Sequence, residues 1–145
     1  MRVTLTINKK SVYEEVGKAA SYVGAKMDAD TYDRMMVTDE NEELLDSFWE
    51  EAKTTALNSL KEWLAEGKED AGNFTVALEL PPSFRLELKE AMQSGLFSFF
   101  VQTIVAKWFM ITNKEEAGAY ATAASGFIEQ VHKAMYERKR PQRPK

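Results

Sequence analysis

Side chains able to do acid–base, nucleophilic or metal chemistry are scarce in this chain: it has a single histidine, His132, and no cysteine. Zinc takes three or four nitrogen, sulfur or carboxylate ligands at close spacing, so His132, four residues after Ile128 in a helical pattern, reads as a residue of a helix surface. Without cysteine there are no disulfides, thiolate metal sites, iron–sulfur clusters or thiol nucleophiles, and a reducing compartment suits the chain. The seven glycines are dispersed. They form no G-x-G-x-x-G and no P-loop to cradle a phosphate, and no Ser–His–Asp elbow is present.

Carboxylates are what remains. Between residues 28 and 51, Asp28, Asp30, Asp33, Asp39, Glu40, Glu42, Glu43, Asp46, Glu50 and Glu51 are opposed by Arg34 alone, a net charge of −9. Paired carboxylates act as general acid and base, or hold two metal ions, only inside a cleft, which spacing does not supply. Two other readings fit the run. Acids in a first helical turn meet the positive end of the helix dipole, which accounts for Asp39 to Glu43. Alternatively Asp39, Glu40, Glu42, Glu43 and Asp46 present an interaction surface. The opposite sign gathers at the C-terminal end, where Lys133, Arg138, Lys139, Arg140, Arg143 and Lys145 face only Glu137, a net charge of +5. Arg138, Lys139, Arg140, Arg143 and Lys145 are expected to form a basic, disordered tail over 138–145 that Pro141 and Pro144 keep extended, suited to an acidic protein surface or to non-specific contact with DNA phosphates. The expectation is therefore no catalytic residue, no cofactor, no metal and no enzymatic activity.

The elements that would position these charges can be read from two hydrophobic periods. Val3, Leu5 and Ile7 alternate with polar neighbours, as do Phe74, Val76, Leu78 and Leu80 before Pro81–Pro82. Two such strands are expected to pair with each other as an antiparallel ribbon lying on helices. Ser11 with Glu14 has the spacing of a capping box opening a first helix with Val12, Val16, Ala19, Ala20, Val23 and Met27 on one face. Asp39 with Glu42 repeats the signature before a long amphipathic helix through Leu45, Phe48, Trp49, Ala52, Ala56, Leu60 and Leu64, expected to end at Gly67 as a left-handed C-cap, with 68–73 a polar loop. Ser83 is placed to cap a third helix, apolar on nearly every side from Leu96 to Ile111, which belongs in the middle of a bundle. Thr112 with Glu115 opens a fourth helix whose Ala117, Gly118, Ala119, Ala121, Ala123, Ala124 and Gly126 make it thin enough for close approach of a neighbour.

A length of 145 residues, 44% apolar and 29% charged, is that of one globular domain, placed here at 1–137. The fold class is mainly α (α+β): a four-helix bundle-like domain with a small two-stranded antiparallel ribbon. The first seven residues alternate where a signal peptide would be continuously apolar. The uncharged stretch 91–106 is shorter and wetter than the ~20 apolar residues of a membrane span, so a buried core helix and no membrane contact are expected.

The runs Leu96-Phe97-Ser98-Phe99-Phe100-Val101, Ile104-Val105-Ala106-Lys107-Trp108-Phe109, Thr112-Asn113-Lys114-Glu115-Glu116-Ala117 and Tyr136-Glu137-Arg138-Lys139-Arg140-Pro141 resemble small prophage-encoded structural proteins, most of all the head–tail connector, or head-completion, proteins of tailed phages. The resemblance covers the last two helices well and the rest loosely. It implies a mostly helical subunit without cofactor or catalysis that assembles as a ring beneath the portal, in the host cytoplasm and then in the virion, with copies of itself and other neck components as partners. A ring needs two different patches that meet, and a −9 segment and a +5 tail would serve. The alternatives are a nucleic-acid-binding accessory protein using the basic tail and a small intracellular adaptor. An acidic body speaks against the first of these.

Overall fold

The structure, a computed structural model, describes residues 1–24 and 41–139. It is mainly helical with one small antiparallel sheet. The described elements run β1 (Arg2–Asn8), α1 (Lys9–Gly24), α2 (Glu42–Ser59), β2 (Leu64–Asp70), β3 (Asn73–Glu79), a 3-10 turn (Leu86–Leu88), α3 (Lys89–Thr112) and α4 (Lys114–Ala134).

The expected ribbon of two strands is there, with Val3 opposite Leu78, Leu5 opposite Val76 and Ile7 opposite Phe74. The sheet has a third strand, however, in the order β1-β3-β2. Residues 64–70 were expected to be the end of a helix and a polar loop, but α2 stops at Ser59, with Leu60 as its C-cap, and the chain turns back to pair with β3. Gly67 accordingly serves a close approach and not a helix cap: a Cβ there would lie 2.6 Å from Leu57 Cδ2, so its absence lets α2 lie against β2. The segment 68–73 is the hairpin, whose tip carries Ala71 at φ 52° and Gly72 at φ 80°, the two positive angles that a two-residue type I′ turn requires.

Strand alternation decides what each face does. Val3, Leu5, Ile7, Phe74, Val76 and Leu78 are buried on the inner face. On the outer face Arg2 Nη2 of β1 reaches across β3 to Glu66 Oε2 of β2 at 3.1 Å, and Ala77 of β3 is buried. β2, the other edge strand, is exposed along most of its length.

The third helix of the sequence reading is the centre of the molecule. Leu96, Phe100, Ile104, Val105 and Phe109 are fully buried, and α3 touches α1, α2, α4 and β1. With its preceding turn it is long and apolar enough to cross a bilayer, yet most of its apolar window is buried among the other elements. Its last turn departs from expectation, since Met110 and Ile111 are exposed.

Helix starts are displaced from the expected capping boxes. Asn8, not Ser11, caps α1: its Oδ1 accepts from the Ser11 N–H at 2.9 Å and from the Ser11 hydroxyl at 3.0 Å. Thr112 is the last residue of α3, its hydroxyl donating to the Trp108 carbonyl, and Asn113 stands at the start of α4. Ser83 lies six residues before α3 and uses its carbonyl to accept from the Lys139 N–H. Asp39 lies outside the described residues.

Candidate functional site

The carboxylates of α2 are brought to bases that are far away in sequence. Lys9, at the start of α1, places Nζ 2.8 Å from Asp46 Oδ1, and one turn further along α1 the Tyr13 hydroxyl donates to the same oxygen at 2.5 Å. Tyr13 stacks edge-on against Trp49, and the Lys9 ammonium lies 5.6 Å from the Tyr13 ring. Beside them opens a cleft of about 730 Å³, lined among others by Lys9, Lys10, Tyr13, Glu14, Glu42 and Gly72.

The protonation states follow from this geometry. Burial, then the hydrogen bond to Asp46 and its charge, drive the Tyr13 phenol far above its ordinary pKa, so it stays a neutral donor. Partial burial would raise the Asp46 carboxyl, but the bonds from Lys9 and Tyr13 outweigh it and hold the group below the usual carboxylate range. A phenol that stays protonated and a carboxylate that stays ionised are poor partners for proton transfer near neutral pH. They form a clasp between α1 and α2.

A second clasp joins α2 to β2. Glu69 points from β2 to the helices and accepts from Trp49 Nε1 at 3.1 Å and from Lys53 Nζ at 2.5 Å, while Lys53 also meets Glu50 at 3.2 Å. Burial opposes charge on both partners, and their mutual hydrogen bond overcomes it, lowering Glu69 and raising Lys53. Trp49 stands between the clasps, with Tyr13 on one side and Phe74 and Phe100 on the others.

The expected interaction surface is accordingly divided. Glu42 and Glu43 are exposed in the first turn of α2, the place the helix dipole favours. Asp46 is taken up by Lys9 and Tyr13, Glu50 by Lys53, and Glu51 by Lys107 of α3 at 2.8 Å. Asp39 and Glu40 lie outside the described residues. At the other end, Arg138 and Lys139 do not belong to a free tail. Arg138 bridges to Phe84, lies over the Trp63 ring at 5.8 Å and donates to the Met135 carbonyl at 2.6 Å, and the Lys139 N–H donates to Ser83 at 2.7 Å. The body therefore extends two residues past the expected boundary at 137. Arg140, Arg143 and Lys145 lie outside the described residues.

Sequence reasoning missed Lys9, Tyr13, Lys53 and Glu69. The only signal for the first pair was the four-residue spacing of Lys9 and Tyr13, which puts them on one helix face, and nothing local marked Glu69. His132 joins an aromatic cluster, its ring 5.2 Å from Tyr136, whose hydroxyl donates to Glu62 and whose ring meets Trp63. Among the described residues no three of His, Cys, Asp and Glu are grouped to hold a metal.

A different surface opens where α3 and α4 diverge. A groove of about 390 Å³ is lined by Phe99, Thr103, Ala106 and Met110 of α3 and by Gly118, Ala121 and Ser125 of α4. The small residues of α4 thus serve two purposes: Ala117 and Ala124 are buried, whereas Gly118 and Ala121 are exposed along the groove. Met110 and Ile111, 55% and 62% exposed, stand at this end of α3. No protein-family model, curated protein or solved structure matches the chain.

Proposed function

We propose that this protein is a non-enzymatic structural subunit, a head–tail connector of the kind the last two helices resemble, which assembles as a ring with copies of itself and meets the portal and other neck components of a phage particle. The observation that carries the reading is the α3–α4 groove with Met110 and Ile111 beside it. Large apolar side chains at the end of a helix, next to a channel lined by glycine and alanine, are the ingredients of a helix-packing contact between subunits. Two polar side chains that line the large cleft, Lys9 and Tyr13, support it from the other side, because both are bound to Asp46 and hold α1 to α2.

Arg138 and Lys139 are held to the body beside Ser83 and Phe84, a fixed basic point suited to contact with an acidic neighbour. The test is the particle mass of the purified chain by mass photometry over a concentration series, alone and with the portal. Assembly into closed rings is expected, and the M110E/I111E variant should lose it with an unchanged melting temperature. The reading fails if the mass stays at one or two copies under every condition, or if the variant forms rings as well as the parent. Loss of duplex-DNA affinity without loss of assembly on deleting 140–145 would favour the nucleic-acid alternative.

A further inference from the structure

The two edges of the sheet differ. β1 is closed at its centre by a side chain, since the Gln93 amide of α3 accepts from the Thr6 N–H at 2.9 Å and donates to the Thr6 carbonyl as a neighbouring strand would. Among the described residues β2 has no such cover and no strand lies beyond it.

The alternation of the ladder decides which groups β2 offers. Met1 and Leu80 exchange both backbone bonds, at 2.7 and 2.8 Å, so the pairs two residues apart from them, Val3 with Leu78 and Leu5 with Val76, are the hydrogen-bonded ones. β3 then turns Thr75 and Ala77 toward β2, where they meet Lys68 and Glu66. Gly67 and Glu69 of β2 consequently aim their N–H and C=O groups outward.

We propose that β2 pairs antiparallel with β2 of a second copy, with Gly67 opposite Gly67 of the other chain, joining the two sheets into one. The charges on the strand select this register. With Gly67 at the centre, Glu66 of each copy faces Lys68 of the other on the outer face, giving two attractive cross-strand pairs. Shifting one strand so that Gly67 faces Glu69 puts Lys68 against Lys68. Centring on Glu69 puts Glu69 against Glu69, and the shift that sets Gly67 against Ala65 puts Glu66 against Glu66. Charged edge strands ordinarily resist pairing; here they permit one alignment and oppose its neighbours. The inner face agrees, because Gly67 carries no side chain and half-buried Leu57 lies over it, so the two Leu57 side chains come together at the two-fold axis. The contact is isologous and closes on a pair of copies, and it does not rest on the connector reading.

The chain has no cysteine, which makes the register testable. In a pair centred on Gly67, residues 66 and 68 of opposite chains are a non-hydrogen-bonded pair with Cα atoms about 4.5 Å apart, within disulfide reach, whereas residues 68 of the two chains are too far apart. Oxidising a mixture of E66C and K68C is expected to give a covalent dimer on a non-reducing gel, and neither protein alone should do so. By light scattering over a concentration series the parent should dimerise, K68E should weaken dimerisation at least about tenfold, and E66K/K68E should restore it. A parent that stays monomeric up to its solubility limit overturns the proposal. So does a dimer that K68E leaves unchanged, or a K68C protein that cross-links alone as well as the mixture does.

Discussion

At Gly95 α3 lies close against α4, and replacing it with alanine sets two effects of known size against each other. In an exposed helix interior the change would stabilise by about 1 kcal/mol, because alanine loses less backbone entropy. Here the new Cβ would lie 2.9 Å from Val131 Cγ2 and 3.8 Å from the Phe127 carbonyl oxygen. Valine in a helix has essentially one χ1 rotamer, and Val131 is buried, so the methyl cannot swing away and the helices must part. Overpacking of this kind costs about 1–3 kcal/mol, and with the propensity gain of about 1 kcal/mol subtracted a net loss of about 0–2 kcal/mol is expected for G95A. V131A alone removes two buried methyl groups and costs about 2 kcal/mol. In the double variant the alanine methyl occupies the space that the valine gave up, so its loss should be well below the sum, with a coupling of about 1–2 kcal/mol. Urea midpoints of the four proteins at unchanged m measure this directly. A G95A protein more stable than the parent would show that the helices have slack, and additivity within about 0.5 kcal/mol would show that the two residues do not meet.

Other expectations follow from single features of the fold. Phe100 is fully buried against Trp49, Phe74 and Phe99, so F100A should lose about 3–5 kcal/mol in urea unfolding, and a loss near 1 kcal/mol would remove α3 from the centre of the core. Ala71 has a positive φ that an L-residue with a Cβ adopts at a cost, so A71N should raise stability by about 0.5–1 kcal/mol, and no gain would contradict the turn geometry. Glu69 has its pKa lowered by folding, so its contribution is full above the unfolded carboxylate value of about 4.3 and is lost as pH falls through the lower folded value; E69Q should be less stable than the parent at pH 7, and the gap should close on acidification. A gap independent of pH would show that the Lys53 pair is not its source. Tyr13 has the opposite sign, its pKa being raised, so its contribution is full below about pH 10 and is lost in stronger alkali; Y13F should approach the parent there by circular dichroism.

Much of the fold was legible because it depends on local periods. Alternation marked β1 and β3, and spacing of three and four marked the buried faces of α1, α2 and α4, since a side chain's direction is fixed by its own backbone. The core place of α3 followed from its having no polar face over most of its length. β2 was not legible, because an edge strand exposed nearly throughout has no buried face to impose a period, and Leu-Ala-Glu-Gly-Lys-Glu-Asp reads equally as a frayed helix and a loop. Its formation depends on β3 having a free edge. The caps failed for a related reason: Ser11 and Thr112 have the right spacing for capping boxes, but where the strand ends and how far the core helix runs decided that Asn8 and Asn113 take those places.

Charge separates what composition determined from what the tertiary structure decided. The sequence alone determined the residues available: no cysteine, one histidine, acids concentrated before Glu51 and bases near the C-terminal end. A sum along the chain cannot say which charges meet. Folding brings Lys9 to Asp46 from 37 residues away and Lys107 to Glu51 from 56, so much of what reads as an acidic surface is spent holding α1, α2 and α3 together. It likewise ties Arg138 and Lys139 to the body and leaves Met110, Ile111 and the edge of β2 facing outward. Ion pairing and exposure are properties of distance in space, and distance in space between residues far apart in sequence is set only when the elements pack.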